Sequence, residues 1–300
     1  MKGSVRIYWN PGWWSKEEKS GNIEYDQTRT APCEISVTES RLSDNPLENS
    51  RNPGCVILAA GASTRLRPWT DSRPKCLLTV QGKTILERTM ENILVAGVNE
   101  IAVVTGYRAS MIRDFLKRRF PTHRVRFIFN PHYAQTGNAY SLLLARQFVE
   151  DRVGKFSNKI LLLDSDIMFS GKLLPYFLAS GAENKIAVRI SGEHNVEEIQ
   201  VGLKPDGRIH FIGKKPDLLE SPSESIGIEL FSAAAVADLF AILERRVRSG
   251  VGRTEFYEAS FQEMIDGRMV LKAVDVSAFP AIEIDTPEDL EQAGRMNVDE

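Results

Sequence analysis

The residues able to do chemistry in this sequence are carboxylates and cations grouped at the ends of short apolar runs. Asp164-Ser165-Asp166 closes the run Leu161-Leu162-Leu163, and Glu283-Ile284-Asp285 precedes the helix-start signature Thr286-Pro287. Carboxylates of this kind suit a hard divalent cation, which takes oxygen ligands and commonly binds one or two acids together with substrate phosphates. Leu58-Ala59-Ala60-Gly61-Ala62-Ser63-Thr64-Arg65-Leu66 is followed by Arg73-Pro74-Lys75. Small residues after a strand let backbone N–H groups approach phosphate oxygens, and Arg65 and Lys75 supply positive charge. The loop is neither GxxxxGK[ST] nor GxGxxG, so it is not the phosphate cradle of a P-loop or of a dinucleotide fold.

Two further groups read as recognition elements. Gln135-Thr136-Gly137-Asn138 offers a close-approach backbone with small polar groups able to read a base edge, and Asn138 doubles as an N-cap for a helix from Ala139. Thr254-Glu255-Phe256-Tyr257-Glu258 combines acids with aromatics, a composition that holds a small cation by cation–π contact and opposite charge. Tyr257 with Glu255 or Glu258 is the expected cation site, while Phe256 and Phe261 are expected in the core of an amphipathic helix. Lys214 and Lys215 close a hairpin where a substrate phosphate can be received, and Glu229 follows a loop on the same side of the chain.

The elements that must position these groups alternate between two periods. Val56 to Ala60, Glu100 to Val104, Val125 to Phe129, Ile160 to Leu163 and Lys185 to Ile190 read as buried strands. Ile85 to Val95, Ser110 to Phe120, Tyr140 to Val149 and Ser232 to Arg248 read as helices, and Val201 to Gly213 as a hairpin turning at Pro205-Asp206-Gly207. Such alternation predicts an α/β fold: a mostly parallel sheet covered by helices on both faces, with ligands at the carboxyl ends of its strands. Residues 1–54 show neither period and read as a polar, largely disordered extension that holds Trp9, Trp13 and Trp14 in a Pro/Gly context, so the folded domain is expected over 55–300.

Composition narrows the partners. The 300 residues carry a formal net charge of -2, which gives no basic surface for a nucleic-acid backbone. Cys33, Cys55 and Cys76 are odd in number and lack zinc-site spacing, which fits a reducing, cytoplasmic setting. No apolar run approaches the ~20 residues of a membrane helix, so no membrane partner is expected. Homo-oligomerisation stays open.

In this order the motifs resemble those of the nucleotidyltransferases that activate sugar phosphates and phospho-alcohols. Leu58 to Leu66 with Pro74-Lys75 is similar to their LAAGxGxRL…PK signature. Asn130 to Leu142 resembles the segment that holds the base and opens a helix in cytidylyltransferases of the phosphocholine, aminoethylphosphonate and inositol-phosphate type. Leu161 to Asp166 resembles the strand ending in a metal-binding aspartate, and Glu283 to Leu290 the second such aspartate with its following helix. The resemblance covers residues 55–293. Ser63 stands where many sugar-nucleotide members carry glycine, which points away from that branch.

What the resemblance implies is a Rossmann-like nucleotidyltransferase fold, its mostly parallel sheet mixed by some antiparallel pairing, and a reaction in which a substrate phosphate oxygen attacks the α-phosphorus of an NTP while pyrophosphate leaves. Both partners are anionic, so charge neutralisation is the central problem. Mg2+ held by Asp166 and Asp285 would meet it, with Asp164 as the alternative ligand, and Arg65 and Lys75 would cover the remaining phosphate charge. Leu58, Ala59, Ala60, Gly61 and Gln135 to Asn138 would hold the nucleotide. Lys214, Glu229, Glu255, Tyr257 and Glu258 would face the acceptor. CTP is the expected nucleotide, and phosphocholine, 2-aminoethylphosphonate and inositol phosphate, in that order, the expected acceptors. The rivals are a sugar-1-phosphate enzyme using UTP, dTTP or GTP, and a catalytically silent nucleotide-binding subunit.

Overall fold

A computed structural model describes residues 52–152, 159–190, 198–214 and 223–298. The expected extension and its tryptophans therefore lie almost wholly outside the described residues. The fold opens with β1 (Gly54–Ala59), whose six residues are all buried. The small hairpin β2 (Thr79–Val80) and β3 (Lys83–Thr84) leads into α1 (Ile85–Val95), where the Thr84 side chain caps the helix by accepting from the Glu87 N–H. Then follow β4 (Ile101–Thr105), α2 (Ala109–Arg119), β5 (Val125–Phe129), α3 (Asn138–Leu144), α4 (Arg146–Arg152), β6 (Lys159–Asp164), β7 (Ile167–Phe169) and α5 (Leu173–Ala179). The second half supplies β8 (Lys185–Ile190), β9 (Gln200–Leu203), β10 (Ile209–Gly213), β11 (Ser223–Ser232), α6 (Ala233–Arg248), α7 (Glu258–Asp266), β12 (Lys272–Asp275), β13 (Ala281–Glu283) and α8 (Pro287–Arg295).

Among the described residues, one nine-stranded sheet runs β10-β9-β11-β6-β1-β4-β5, with β8 paired to both β11 and β12. Its first half is parallel: β6, β1, β4 and β5 point the same way. The half built from β11, β9 and β10 is antiparallel, as is the β8–β11 pairing, so the sheet is mixed. Strand alternation divides the core into two layers. Cys55, Ile57, Val103, Leu161 and Leu163 pack with Leu86, Met90 and Ile93 of α1 and Leu116 of α2. Val56, Leu58, Val104 and Leu162 turn to the other face, against Leu142 of α3, Leu239 and Leu243 of α6 and Phe261 of α7. Helices thus cover both faces.

The expected helix Tyr140 to Val149 is two helices, broken at Ala145, whose N–H bonds back to the Leu142 carbonyl in a tight turn. A third apolar cluster joins Leu66 of the small-residue loop to Ile282 and Ile284 beside β13 and Met168 of β7. It anchors the loop and the second acidic motif to one block. Among the described residues, no helix is long and apolar enough to cross a membrane.

Candidate active site

The ends of β1 and β6 meet at one edge of the main sheet, beside the separate two-stranded pair β7 and β13. β1 and β6 are parallel neighbours with Leu58 opposite Asp164, so the Gly61 loop and the Asp164-Ser165-Asp166 turn emerge side by side. The chain turns sharply at Ser165-Asp166 into β7, which pairs antiparallel with β13, Ile167 opposite Glu283. The Ile284 N–H then donates to the Asp166 carbonyl at 3.0 Å. These bonds bring residues 166 and 285, far apart in sequence, together at the ends of two adjacent strands. Asp285 is fixed further by the start of α8, where the Asp289 carboxylate accepts from its N–H at 3.0 Å within a capping box on Thr286.

At that corner, Asp166, Glu283 and Asp285 place one carboxylate oxygen each within 4.8 Å of one another. Lys75, buried, reaches between them, with Nζ 2.7 Å from Asp166 Oδ2 and 2.6 Å from Asp285 Oδ1. Arg65 donates to the other Asp285 oxygen at 2.6 Å. Burial opposes the Lys75 charge, but the two aspartates outweigh it and hold the ammonium above its ordinary pKa. Burial likewise opposes Asp285, and Lys75 and Arg65 hold it below the usual carboxylate range. At Glu283 the balance goes the other way: burial and the neighbouring aspartates push its carboxyl well up against the pull of Lys75.

Two features test whether a divalent cation fits. The donors are all hard carboxylate oxygens, the kind Mg2+ takes. Asp166 Oδ1 is buried and has no hydrogen-bond partner among the described residues, an unspent acceptor at the corner. The residues fit the ion.

The corner opens on a cleft of two lobes. One, about 350 Å³, is lined by Leu58 to Gly61, Ser63 to Arg65, Lys75, Tyr133, Thr136 to Asn138, and the carboxylate corner. The other, about 320 Å³, adds Glu198, Lys214, Ser225, Gly227 and Glu258. Arg65, Asn138, Asp164, Phe256, Glu283 and Asp285 line both, so the two lobes meet at the acids and at the Phe256 ring. Ser63 sits in the left-handed region at φ 48°, where glycine is the easier residue, and its carbonyl is pinned by the Thr70 hydroxyl at 2.9 Å. Asn130, fully buried, ties the second loop together: its side chain accepts from the His132 N–H and donates to Thr136 Oγ1 and Ser141 Oγ.

Residues 55–252 match the model of the MobA-like NTP transferase domain. The chain belongs to that family. It is a nucleotidyltransferase, and its similarity extends to named members. Over 92 residues it is 40% identical to the choline-phosphate cytidylyltransferase of Streptococcus pneumoniae, a match spanning 31% of this chain and 38% of that enzyme. Over 250 residues it is 27% identical to the CTP:phosphoglutamine cytidylyltransferase of Campylobacter jejuni, covering 79% of this chain and 97% of the relative. In fold it is similar to the inositol-1-phosphate CTP transferase of T. maritima, with a TM-score of 0.66 at 21% identity over 82% of this chain and 98% of that one. The Rossmann-like nucleotidyltransferase architecture expected from the motifs is therefore the one the chain adopts.

Against that architecture, the expected site residues divide. Leu58, Ala59, Ala60, Gly61, Thr136, Gly137, Asn138, Arg65, Lys75, Asp166 and Asp285 line the first lobe, and Lys214 and Glu258 the second. Gln135 does not: its side chain is exposed outside the cleft in the turn closed by its N–H on the His132 carbonyl. Asn138 is not the cap either. Gly137 holds that position, and the Asn138 carboxamide oxygen accepts from the Tyr257 N–H at 2.8 Å.

The largest corrections fall on the acceptor side. Tyr257 is fully buried against Phe261, with its hydroxyl donating to Asp164 Oδ2 at 2.8 Å, so its ring walls no pocket. Phe256, expected in the core, is 52% exposed and stands in the cleft beneath Lys214, whose Nζ lies 4.8 Å from the ring centroid. The two exchange roles because the helix begins only at Glu258, and the preceding segment is not helical. Glu229 is fully buried in β11, lines neither lobe, and is pushed well up by burial and the nearby Asp164 and Glu258. Glu255 is taken by Arg246 and lies outside both lobes. Glu283 carries no role in the sequence analysis, although its place two residues before Asp285, the spacing that puts extended residues on one face, is the available signal. Phe256 and Tyr133 had no comparable one.

Proposed function

We propose that this nucleotidyltransferase moves CMP from CTP to a small phosphate or phosphonate acceptor bearing a positive head group, and releases pyrophosphate. The observation that carries the reading is the pairing of lobes: one with a small-residue loop, Lys75 and three carboxylates, the other with the buried acid Glu258 beside an exposed aromatic ring. The relatives named choline-phosphate cytidylyltransferase and CTP:phosphoglutamine cytidylyltransferase support the choice of CTP and of a small phosphorylated acceptor.

In this reading Asp166 and Asp285, joined by Glu283, would hold Mg2+, which would neutralise phosphate charge and polarise the α-phosphate. An acceptor oxygen forms a bond to the α-phosphorus while the bond from that phosphorus to the α,β-bridging oxygen breaks, and the electron pair leaves with pyrophosphate. The acceptor oxygen is already ionised, so no protein base is required. Lys75 and Arg65 face the charge that develops on the leaving group, and their work is electrostatic. The backbone of Ala59 to Gly61 and the Thr136 to Asn138 turn hold the nucleotide. Lys214 steers the acceptor phosphate. The acceptor's cation lies against Phe256, with the Glu258 carboxylate behind it. Glu258 is 5% exposed, its Oε2 has no hydrogen-bond partner among the described residues, and burial holds its pKa up at about 7 against the pull of Lys214.

A second reading, transfer to a sugar 1-phosphate, is favoured by 28% identity over 215 residues to the bifunctional protein GlmU of Methanococcus maripaludis, of which the match covers 47%. One experiment separates the two. The purified chain is incubated with each NTP, Mg2+ and a panel of phosphocholine, 2-aminoethylphosphonate, inositol phosphate and sugar 1-phosphates, and pyrophosphate is followed. CTP with a cationic acceptor should give the fastest release, lost on chelation. UTP or dTTP with a sugar phosphate as the best pair would replace the proposal with the second reading.

A further inference from the structure

The segment Arg253 to Tyr257 carries the ring that separates the two lobes, and it lies flat on the start of α3. The Gly137 N–H donates to the Arg253 carbonyl at 2.8 Å, the Ala139 N–H to the Glu255 carbonyl at 3.4 Å, and the Tyr257 N–H to Asn138 Oδ1 at 2.8 Å. The approach is as close as a backbone permits. A Cβ added at Gly137 would stand 2.2 Å from the Glu255 carbonyl oxygen, so glycine is required there for space. Tyr257 is locked at its far end by Asp164. Phe256 itself is half exposed, so its position comes from its flanks and not from packing around the ring.

The other flank is held from behind by a residue that lines neither lobe. Arg246 on α6 clasps Glu255 in a bidentate fork, with Nη2 2.9 Å from Oε1 and 2.8 Å from Oε2, and Nε 3.0 Å from Oε2. Its remaining nitrogen, Nη1, donates to Glu263 Oε2 at 3.0 Å. The Arg246 and Glu255 side chains are only 23% and 26% exposed, so the fork is partly shielded from water, and charge-assisted bidentate pairs are the stronger kind. Lysine cannot reproduce this geometry, because a point charge has no planar fork.

We propose that Arg246 is a positioning residue for nucleotidyl transfer: by clasping Glu255 it fixes Arg253 to Tyr257 against α3, so that Phe256 forms the wall shared by the nucleotide and acceptor lobes. This rests on the reading of the cleft as those two binding lobes. Loss of the fork leaves the carboxylate corner, Arg65 and Lys75 untouched and loosens the boundary both substrates press against. The signature is a rise in both Michaelis constants with a smaller change in turnover, which general destabilisation would not give.

The test uses the full chain with Arg246→Gln, Arg246→Lys and Glu263→Gln. Arg246→Gln should raise the KM for CTP and for the acceptor by about tenfold each, with kcat changed less. Arg246→Lys should fall between it and the parent. Glu263→Gln, which removes the other carboxylate on the same guanidinium, should leave both constants near the parent's. In the absence of substrates, hydrogen exchange at the Gly137, Ala139 and Tyr257 amides should quicken in Arg246→Gln ahead of the sheet amides. Parent-like exchange at these three amides, or parent-like Michaelis constants, overturns the proposal. If Arg246→Gln fails to fold, Glu255→Gln breaks the same fork from its other side and is judged by the same two readouts. A parent protein inert toward every NTP sinks the functional reading alone, and the exchange result then decides the clasp.

Discussion

The carboxylate corner at the end of β6 and the segment Arg253 to Glu258 face the same cleft, yet different forces set their side chains. At the corner, strand pairing and charge act together: β7 and β13 hold Asp166 and Asp285 in register, and Lys75 fills the space between them. Changing any one of these residues leaves the others as unbalanced charge. In the segment, neighbouring residues face opposite worlds, Phe256 toward water and Tyr257 into the core, with Glu255 turned back onto Arg246. Chemistry can be concentrated where a strand end fixes direction, whereas a short irregular stretch assigns its side chains only through what each happens to meet.

That contrast can be broken at either end. The largest effect is expected at the corner, where Asp285→Asn should lower kcat by about a thousandfold, because it removes a charge that the proposed Mg2+ site needs and a partner of both Lys75 and Arg65. Steady-state turnover at saturating Mg2+ checks this. In the segment, Tyr257→Ala should behave as a core mutation, costing about 3–5 kcal/mol and lowering the melting temperature by roughly 10 °C in calorimetry. A small shift there would mean that the ring is not buried in solution.

Glu258 gives the pH test. Its folded pKa, about 7, lies above the ordinary 4.5, so between these values the folded chain binds the extra proton and stability should fall as pH rises through the window. The full cost of ionising it is on the order of 3 kcal/mol. Asp164 on β6 and Glu229 on β11 are acids that interact with Glu258, and Lys214 pulls the opposite way. Chemical denaturation across pH 4.5 to 8 should therefore show a decline that Glu258→Gln flattens, while the KM for a cationic acceptor falls over the same window as the carboxylate charges. The smallest effect belongs to Phe256→Ala, a loss of about 1–2 kcal/mol in binding a cationic acceptor, seen as roughly tenfold in its KM with no change in melting temperature. An acceptor without the cation should be affected less.

How far the sequence could be read follows from the same contrast. The strands and their ends were legible because apolar runs bounded by glycine or acid have few alternatives, and the resemblance supplied the order of the motifs. Arg65, Lys75, Asp166 and Asp285 stand together in space as their positions after strands suggested. The mixed character of the sheet came from the resemblance, but the antiparallel β11, buried along almost its whole length, gave no sign of direction in its residues. The sequence pattern reverses Phe256 and Tyr257 because a helical period continues back through a segment that is not helical. The direction of two adjacent aromatics outside a regular element depends on partners such as Asn138 and Asp164, more than ninety residues away in the chain. Glu255 was misread for a similar reason, since nothing near it announces Arg246.

Pyrophosphate release from CTP and the best acceptor of the panel, with Mg2+ titrated over the parent chain and Asp285→Asn in parallel, decides whether CMP transfer at the carboxylate corner depends on a metal. Saturable Mg2+ activation is expected in the parent, abolished by chelation, with turnover about a thousandfold lower in the variant at every Mg2+ concentration. Equal turnover in the two proteins, or parent turnover that survives chelation, would contradict it.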